Sequence, residues 1–224
     1  CFKGVNLDAL EHIIEEGFRE RGYYFLGGVT PPFRGPYIWK NMESLQFDVE
    51  LPGTIQPATV HMMYDFIMES WIGFATCAQK HVGGCSKEDG IYCNAICYPN
   101  REGEDFQVSY LKHEAQHFYD QNHFPELQST DIEYRAKLVE LIYRRDHTIL
   151  RKFFLEAEKN PDFSHSYAAY LILQQLSERV FNKEYEGNRE EWLKIDYSYI
   201  ASMSLKLYKE CTEKLKKWSN RTSV

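Results

Sequence analysis

Two histidines four residues apart, His113 and His117, enclose the part of this sequence best suited to chemistry, His-Glu-Ala-Gln-His. Residues four apart on a helix lie one turn apart on the same face, so both imidazoles can bind a single metal ion. Glu114 follows the first histidine, and its carboxylate can take a proton from a water molecule at that metal. The spacing predicts a zinc site that activates water, in preference to two exposed histidines on an amphipathic helix.

Apolar residues around this pair predict the helix that must position it. They recur at intervals of three and four and give the helix one side for the core: Val108, Leu111, Ala115 and Phe118. Either Ser109 or Asp105 is expected to cap the start of this helix.

A zinc site of this kind needs a third protein ligand, and two candidates follow along the chain. Glu133 lies near the start of a second predicted helix, and small Ala136 one turn later would let the two helices approach closely. A reversal of the chain near Pro125 brings Glu133 back toward the histidines. The alternative is His123, which requires the first helix to end in a sharp turn at Asp120. Glu133 is favoured, because aspartate adopts the left-handed conformation of such a turn less readily than glycine.

These residues resemble the active site of the zincin metallopeptidases, whose signature is His-Glu-x-x-His on a helix. A glutamate ligand on the following helix is the pattern of the gluzincin branch. The resemblance covers residues 106–141. It implies a Zn²⁺ ion held by His113, His117 and Glu133. It also implies that Glu114 is the general base in the hydrolysis of a peptide bond.

The resemblance further implies a donor to the oxyanion of that reaction, supplied by a histidine or tyrosine of the later helices. His165, at the start of a predicted helix, is our choice, with Tyr167 and Tyr170 as alternatives. Carboxylates should also orient the ligand imidazoles, and Asp120 and Glu140 are the candidates.

Strand patterns come first in the chain and helix patterns last, which indicates an α+β fold. Predicted strands span residues 23–26, 45–51, 59–64, 71–77 and 91–98. Predicted helices span residues 6–21, 149–158, 162–181 and 190–218. The zincin resemblance implies the same layout. Its N-terminal lobe, expected at residues 1–121, has a mixed or antiparallel sheet and ends in the active-site helix. Its helical C-terminal lobe, expected at residues 122–224, carries the glutamate ligand.

The composition limits the partners of the protein. The 224-residue chain has a net charge of −7 and 43% apolar residues. These values indicate a globular protein and argue against nucleic acid or an anionic membrane as the main partner. No apolar run approaches the length of a membrane span. We expect a peptide or protein substrate, and the sequence leaves the oligomeric state open.

The cysteines give an indication of the cellular compartment in which the protein is located. Four of them lie within 21 residues, without the Cys-x-x-Cys spacing of structural zinc sites: Cys77, Cys85, Cys93 and Cys97. They fit either disulfides of an exported protein or free buried thiols. The chain starts at Cys1, which fits both a lipid-bearing cysteine left after signal removal and a shortened chain. We therefore expect an exported or cell-surface protein, with a lipid anchor on Cys1 as one version, ahead of a cytoplasmic one.

Two functions of different classes follow from these residues. The first is a zinc-dependent peptidase with Glu114 as its general base. The second is a zincin-fold protein that binds a metal or a partner without hydrolysis. Replacement of Glu114 by glutamine separates the two, because only hydrolysis requires the carboxylate to take up a proton.

Overall fold

The computed structural model describes residues 6–30, 33–87 and 89–222. All the strands in these ranges lie before residue 95 and long helices follow, so the predicted α+β class is confirmed. No helix in these ranges is long and apolar enough to cross a bilayer. Cys1, on which the expected lipid anchor depends, lies outside the described residues.

The chain divides into two compact units. They are formed by Cys1–Phe47 with Thr59–Asn100 and by Asp48–Ala58 with Arg101–Val224. The helix that carries the two histidines therefore belongs to the same unit as the later helices. The expected lobes, residues 1–121 and 122–224, stay a prediction.

The first part of the chain contains a five-stranded mixed sheet. Its elements are α1 (Leu7–Arg19), β1 (Tyr24–Leu26), β2 (Val29–Thr30), β3 (Phe33–Arg34), β4 (Tyr37–Leu51), β5 (Thr54–Glu69), α2 (Ser70–Ala75), β6 (Gly84–Lys87) and β7 (Gly90–Asn94). The strand order is β1-β4-β5-β7-β6, and β2 and β3 form a separate antiparallel pair. β5 and β7 pair in parallel, with Val60 opposite Ile91 and Met62 opposite Cys93. All four of these side chains are buried, so this pair supplies the core of the sheet.

The alternating pattern of residues 45–51 lies within β4, as predicted. Val49 and Leu51 are buried, whereas Glu50 between them is exposed. A strand whose successive side chains point to opposite faces produces this alternation. Gly53, with φ of 91°, then makes the turn into β5.

The predicted strand at residues 71–77 is wrong, because this segment forms α2. Its aromatic and β-branched residues favour a strand, but Ser70 adopts a left-handed φ of 56° and turns the chain out of β5. The predicted strand at 91–98 is shorter than expected. It ends at Asn94, whose side chain accepts a hydrogen bond from Ile96 N and starts a 3₁₀ turn.

Helices make up the later part of the chain. They are α3 (Glu104–Phe106), a π-helical turn (Gln107–Lys112), α4 (His113–His123), α5 (Ser129–Tyr143), α6 (Thr148–Glu156), α7 (Ser164–Phe181), α8 (Arg189–Leu193) and α9 (Tyr197–Thr222). The single helix predicted over residues 190–218 is wrong. Asp196 interrupts it, because its carboxylate accepts a hydrogen bond from Ser198 N and so starts α9 as a separate helix.

α5 is the central helix of this part of the protein. Nine consecutive residues, Glu133–Leu141, are buried, and α4, α7, α9 and the π-helical turn all pack against the helix. Four of the nine are charged: Glu133, Arg135, Lys137 and Glu140. Buried charges are costly unless they are paired. Lys137, for example, donates a hydrogen bond of 2.7 Å to Glu156 of α6.

Two of the four clustered cysteines, Cys77 and Cys97, carry free thiols in the part of the chain that the structure describes. Cys77 is exposed and Cys97 is half-buried, so neither is the free buried thiol that the spacing left open as an alternative. Burial raises the pKa of the Cys97 thiol to about 11, so this thiol stays protonated at neutral pH.

Candidate metal site

Two imidazoles, those of His113 and His117, lie side by side in the first two turns of α4. Their ring centroids are 4.5 Å apart and their planes are nearly perpendicular, at 88°. Both side chains are buried. The π-helical turn leads into α4 directly before His113. Such turns are rare and occur often at functional sites.

Glu133 of α5 faces both histidines. His117 Nε2 lies 3.3 Å from Glu133 Oε1, and His113 Nε2 lies 3.5 Å from Glu133 Oε2. Fully buried Ala136 follows one turn later on α5, and a small residue there permits the close approach of α4. The structure therefore brings together the three residues that the sequence predicts as metal ligands.

These separations suit a tetrahedral zinc ion. Ligand atoms at about 2.0–2.1 Å from such an ion are about 3.3–3.4 Å from one another. One potential ligand atom from each of His113, His117 and Glu133 can be chosen so that all three lie within 4.8 Å of one another. Two imidazole nitrogens with one carboxylate oxygen is also the ligand set of many catalytic zinc sites, which keep a fourth position for water or substrate.

Two buried polar atoms at this site have no hydrogen-bond partner among the described residues. They are His117 Nδ1 and Glu133 Oε2. Leaving a buried polar atom without a partner costs free energy, and such atoms in a folded protein call for an explanation. For the carboxylate oxygen, a bound cation would supply the missing partner. The donor set, the distances and this oxygen together fit a zinc ion.

Glu140 supports the site from α5. Its Oε1 lies 2.7 Å from His113 Nδ1 in a buried hydrogen bond. The bond requires a proton on Nδ1 and leaves Nε2, the atom that faces Glu133, free to bind a metal. Glu140 therefore lies where a carboxylate that orients a ligand imidazole must lie.

The charges of the site are strongly coupled. Burial by itself lowers the pKa of His113, but the carboxylates of Glu133 and Glu140 outweigh it and raise the pKa to about 10. Burial raises the pKa of Glu133, and the imidazoles around it lower that pKa to a net value well below its usual range. Without a metal, a protonated His113 thus supplies the positive charge that the two carboxylates require.

Glu114 and His165, the predicted catalytic residues, both lie next to the three candidate metal ligands. Glu114 directly follows His113 on α4 and is half-buried, with no hydrogen bond or ion pair to another described residue. His165 lies in the first turn of α7, and its Nδ1 is 3.0 Å from Glu133 Oε2. Its side chain is 63% exposed, so it borders both the carboxylate and solvent.

The remaining candidates lie elsewhere or serve other contacts. The alternative ligand His123 is exposed, and it stacks on Tyr119 at the C-terminal end of α4. Asp120 pairs with Arg135 rather than with an imidazole nitrogen. Tyr167 and Tyr170 belong to a row of stacked tyrosine rings that continues to Tyr185.

One supporting contact has no signal in the sequence. Ser109, a predicted helix cap, lies instead inside the π-helical turn, where it accepts hydrogen bonds of 2.8 and 3.2 Å from Arg144. Burial raises the pKa of Glu140, but His113, followed by Lys137 and Ser109, outweighs burial and holds that pKa below its usual range. Ser109 and Arg144 are 35 residues apart, and no local spacing rule connects them.

Comparisons with known proteins do not change this description. No protein-family model, no curated protein and no solved structure matches the chain.

Proposed function

We propose that this chain is a zinc-dependent peptidase with a zincin-like fold of the gluzincin branch. One observation carries the proposal: His113 Nε2 and His117 Nε2 converge on the carboxylate of Glu133. Glu114 supports it, because a carboxylate next to the first histidine is the group that hydrolysis at such a metal needs. Glu140 supports it further, since it fixes the proton of His113 on the nitrogen away from Glu133.

The proposed chemistry assigns a task to each residue. Zinc bound by the three ligands would supply a Lewis acid that lowers the pKa of water and polarises a carbonyl group. Glu114 takes a proton from the attacking water as the new carbon–oxygen bond forms. It returns this proton to the leaving nitrogen as the carbon–nitrogen bond breaks, which yields a carboxylic acid and an amine. His165 donates a hydrogen bond to the carbonyl oxygen as negative charge develops there.

A metal-binding protein without hydrolysis is the second candidate. The position of His165 favours it, because its Nδ1 lies 3.0 Å from Glu133 Oε2. In this position the imidazole pairs with the carboxylate of Glu133 instead of being free to stabilise an oxyanion.

Hydrolysis of a mixture of fluorescence-quenched peptides by zinc-loaded protein tests the proposal. We expect Glu114→Gln to lower the rate by about 10²–10⁴-fold, the usual contribution of a general base. We also expect one zinc per chain in both proteins, because Glu114 is not a ligand. Glu126→Gln, which changes an exposed glutamate beyond α4, is the matched control and should keep the wild-type rate.

The possible outcomes test both candidates. Full activity in Glu114→Gln overturns the proposed role of Glu114. Wild-type protein that binds one zinc but cleaves none of the peptides favours the second candidate. A chain that binds no zinc removes both.

A further inference from the structure

Three tyrosines form a row in the helical part of the protein: Tyr167 and Tyr170 of α7, and Tyr185 of the segment between α7 and α8. The ring centroids of Tyr167 and Tyr170 are 6.3 Å apart and their planes differ by 7°. Those of Tyr170 and Tyr185 are 5.4 Å apart, with an angle of 17°. All three residues are half-buried, so this tyrosine row presents nearly parallel rings side by side to solvent.

The elements that carry the tyrosine row hold it in place. Ala168 and Ala169, between the first two tyrosines, are fully buried and pack α7 into the core. Glu186 follows the third tyrosine, and its backbone fixes this segment at two points. Its N–H group donates a hydrogen bond to Ser177 Oγ, and its carbonyl accepts one of 2.9 Å from the indole of Trp192. A surface that is already ordered loses little conformational entropy when a ligand binds.

The hydroxyl groups of the tyrosine row differ from those of the buried tyrosines. Tyr134, Tyr197 and Tyr208 donate hydrogen bonds of 2.9–3.1 Å within the protein. The three hydroxyls of the row form no hydrogen bond with another described residue. Burial, followed by the nearby Tyr170, raises the pKa of Tyr185, so its hydroxyl stays protonated at neutral pH. The row therefore combines aromatic rings with hydroxyl donors that are available to a ligand.

Parallel aromatic rings with available donors suit one conformation of a bound peptide. A polyproline II segment rises about 3.1 Å per residue and has no internal hydrogen bonds, so its carbonyl groups can accept hydrogen bonds from a partner. Proline-rich segments dock in aromatic-lined grooves in this conformation, which they adopt before binding. We propose that the tyrosine row is a docking surface for a proline-containing, extended segment of the peptide substrate. The assignment of this segment to a substrate rests on the proposed function, whereas the docking surface itself does not.

The surroundings of the row favour this ligand over others. The row lies on a helix and on a connection between helices, which offer no strand edge for pairing with a peptide. Single-stranded nucleic acid also stacks on aromatic rings, but it requires a positive groove, and the chain has a net charge of −7. Lys159 Nζ lies 5.8 Å from the ring centroid of Tyr170 and forms no ion pair with another described residue. We therefore expect an acidic residue among the prolines of the ligand.

The row and the candidate metal site share α7. Tyr167 follows His165 by two residues, on a helix that is about 10–12 Å across with its side chains. About four residues of a polyproline II segment span this distance. A peptide docked on the row can thus place a bond a few residues from its prolines at the metal site. Contacts so far from the reacting bond stabilise the bound substrate and the transition state alike, so they should lower KM and leave kcat unchanged.

Fluorescence anisotropy of a fluorescein-labelled peptide, made of prolines around a single aspartate, tests the docking surface. The peptide is titrated with metal-free protein, so that cleavage does not intervene. We expect a peptide with glycine and serine in place of the prolines to bind at least about tenfold more weakly, because it must be ordered on binding. Tyr170→Phe keeps the ring but removes a donor, and should weaken binding by about 2–10-fold. Tyr170→Leu removes the central ring and should weaken binding by about thirtyfold or more.

Tyr199→Leu is the matched control. It removes a tyrosine of α9 that is 45% exposed and does not belong to the row, and it should keep the wild-type affinity. Lys159→Met tests the acidic residue of the ligand. We expect this variant to bind the aspartate peptide about 2–5-fold more weakly, as for other exposed ion pairs, and to bind a peptide with asparagine at that position as the wild type does.

The binding results decide the docking surface. Preference for the proline peptide that is lost in Tyr170→Leu and kept in Tyr199→Leu supports it. Equal affinity for the proline and the glycine–serine peptides overturns it, and so does equal affinity of Tyr170→Leu and the wild type. Displacement of the peptide by cellohexaose at a lower concentration than by unlabelled peptide overturns it in favour of a glycan. If Tyr170→Leu does not fold, the two peptides and Tyr170→Phe decide alone.

Hydrolysis by zinc-loaded protein separates this inference from the proposed function. Among fluorescence-quenched peptides, we expect those with a proline segment to have a KM at least about tenfold lower than those without one. Tyr170→Leu should raise this KM toward that of the other peptides, with kcat unchanged. Equal KM values for both kinds of peptide overturn the assignment to a substrate. Binding without any cleavage overturns the proposed peptidase and leaves the docking surface standing.

Discussion

Two buried polar clusters connect α4 to α5, and they differ in whether their polar atoms have hydrogen-bond partners within the protein. The metal cluster consists of His113, His117 and Glu133. The arginine cluster lies further along the same two helices and reaches α9: Asp120, Arg135, Tyr208 and Thr212. In the arginine cluster the guanidinium donates to both oxygens of Asp120 at 2.9 and 3.0 Å, and to the hydroxyls of Thr212 and Tyr208. In the metal cluster, Glu133 Oε2 and His117 Nδ1 have no such partner among the described residues.

The difference separates a structural network from a candidate binding site. Asp120 and Arg135 are both fully buried, and their opposite charges satisfy each other within the protein. The metal cluster instead presents ligand atoms at the spacing that one cation requires. A cluster whose charges are paired within the protein stabilises the packing of its helices. A cluster whose ligand atoms surround one point can instead bind a cation.

The largest expected effects come from one substitution in each cluster. We expect Glu133→Gln to abolish stoichiometric zinc binding while metal-free protein still folds, because a neutral amide is a poor zinc ligand. We expect Arg135→Met to lower the free energy of unfolding by about 3–5 kcal/mol, because it leaves the Asp120 carboxylate buried and unpaired. Urea unfolding and zinc titration of both variants measure these effects.

The double variant Asp120→Leu/Arg135→Met is the control for the arginine cluster. Removing both charges leaves no unpaired group, so stability should return toward that of the wild type. Zinc affinity that falls as much in Arg135→Met as in Glu133→Gln, with the protein still folded, would contradict the division into two clusters.

A smaller effect is expected from Glu140, which supports the metal cluster without belonging to it. We expect Glu140→Gln to weaken zinc binding by about 10–100-fold, because the hydrogen bond that orients His113 loses its charge. The exposed Glu126 is again a suitable comparison, since Glu126→Gln should leave the affinity unchanged. An affinity of Glu140→Gln equal to that of the wild type would mean that the fold alone positions His113.

Local spacing in the sequence predicts the residues of the metal cluster better than it predicts the residues around that cluster. The interval of four residues between His113 and His117 is itself the geometry of a helix face. Glu133 and Glu140 are seven residues apart, about two helical turns, so their common direction was also available from the sequence. In contrast, the approach of His165 to Glu133 depends on how two helices and a connection pack, which no short-range rule gives.

Two other expectations from the sequence were not met, each for a specific reason. Asp120 is a plausible partner for an imidazole until Arg135, on another helix, takes up both of its oxygens. The segment 71–77 has the composition of a strand, but the left-handed φ of Ser70 turns it into a helix. In the first case a contact with a distant residue decides, and in the second a backbone conformation that the composition of the segment does not reveal.

The last prediction uses pH to distinguish the clusters in metal-free protein. The folded pKa of His113, about 10, lies above its ordinary value of 6.5, so the stability from its charged form is fully present below pH 6.5. This contribution is lost as the pH rises through 10, because the neutral imidazole no longer balances Glu133 and Glu140. Arg135 keeps its charge over the same range, since Asp120 outweighs the effect of burial and raises its pKa.

We therefore expect the melting temperature of metal-free protein to fall between about pH 6.5 and pH 9.5. The fall should be smaller in His113→Gln, which has no proton to lose at this position, and unchanged in the exposed-site control His123→Gln. Comparing the variants removes the contribution of groups elsewhere that titrate in the same window. Equal slopes in the wild type and His113→Gln would show that the two carboxylates do not depend on the charge of His113. The metal cluster would then resemble the arginine cluster in being balanced without an added cation.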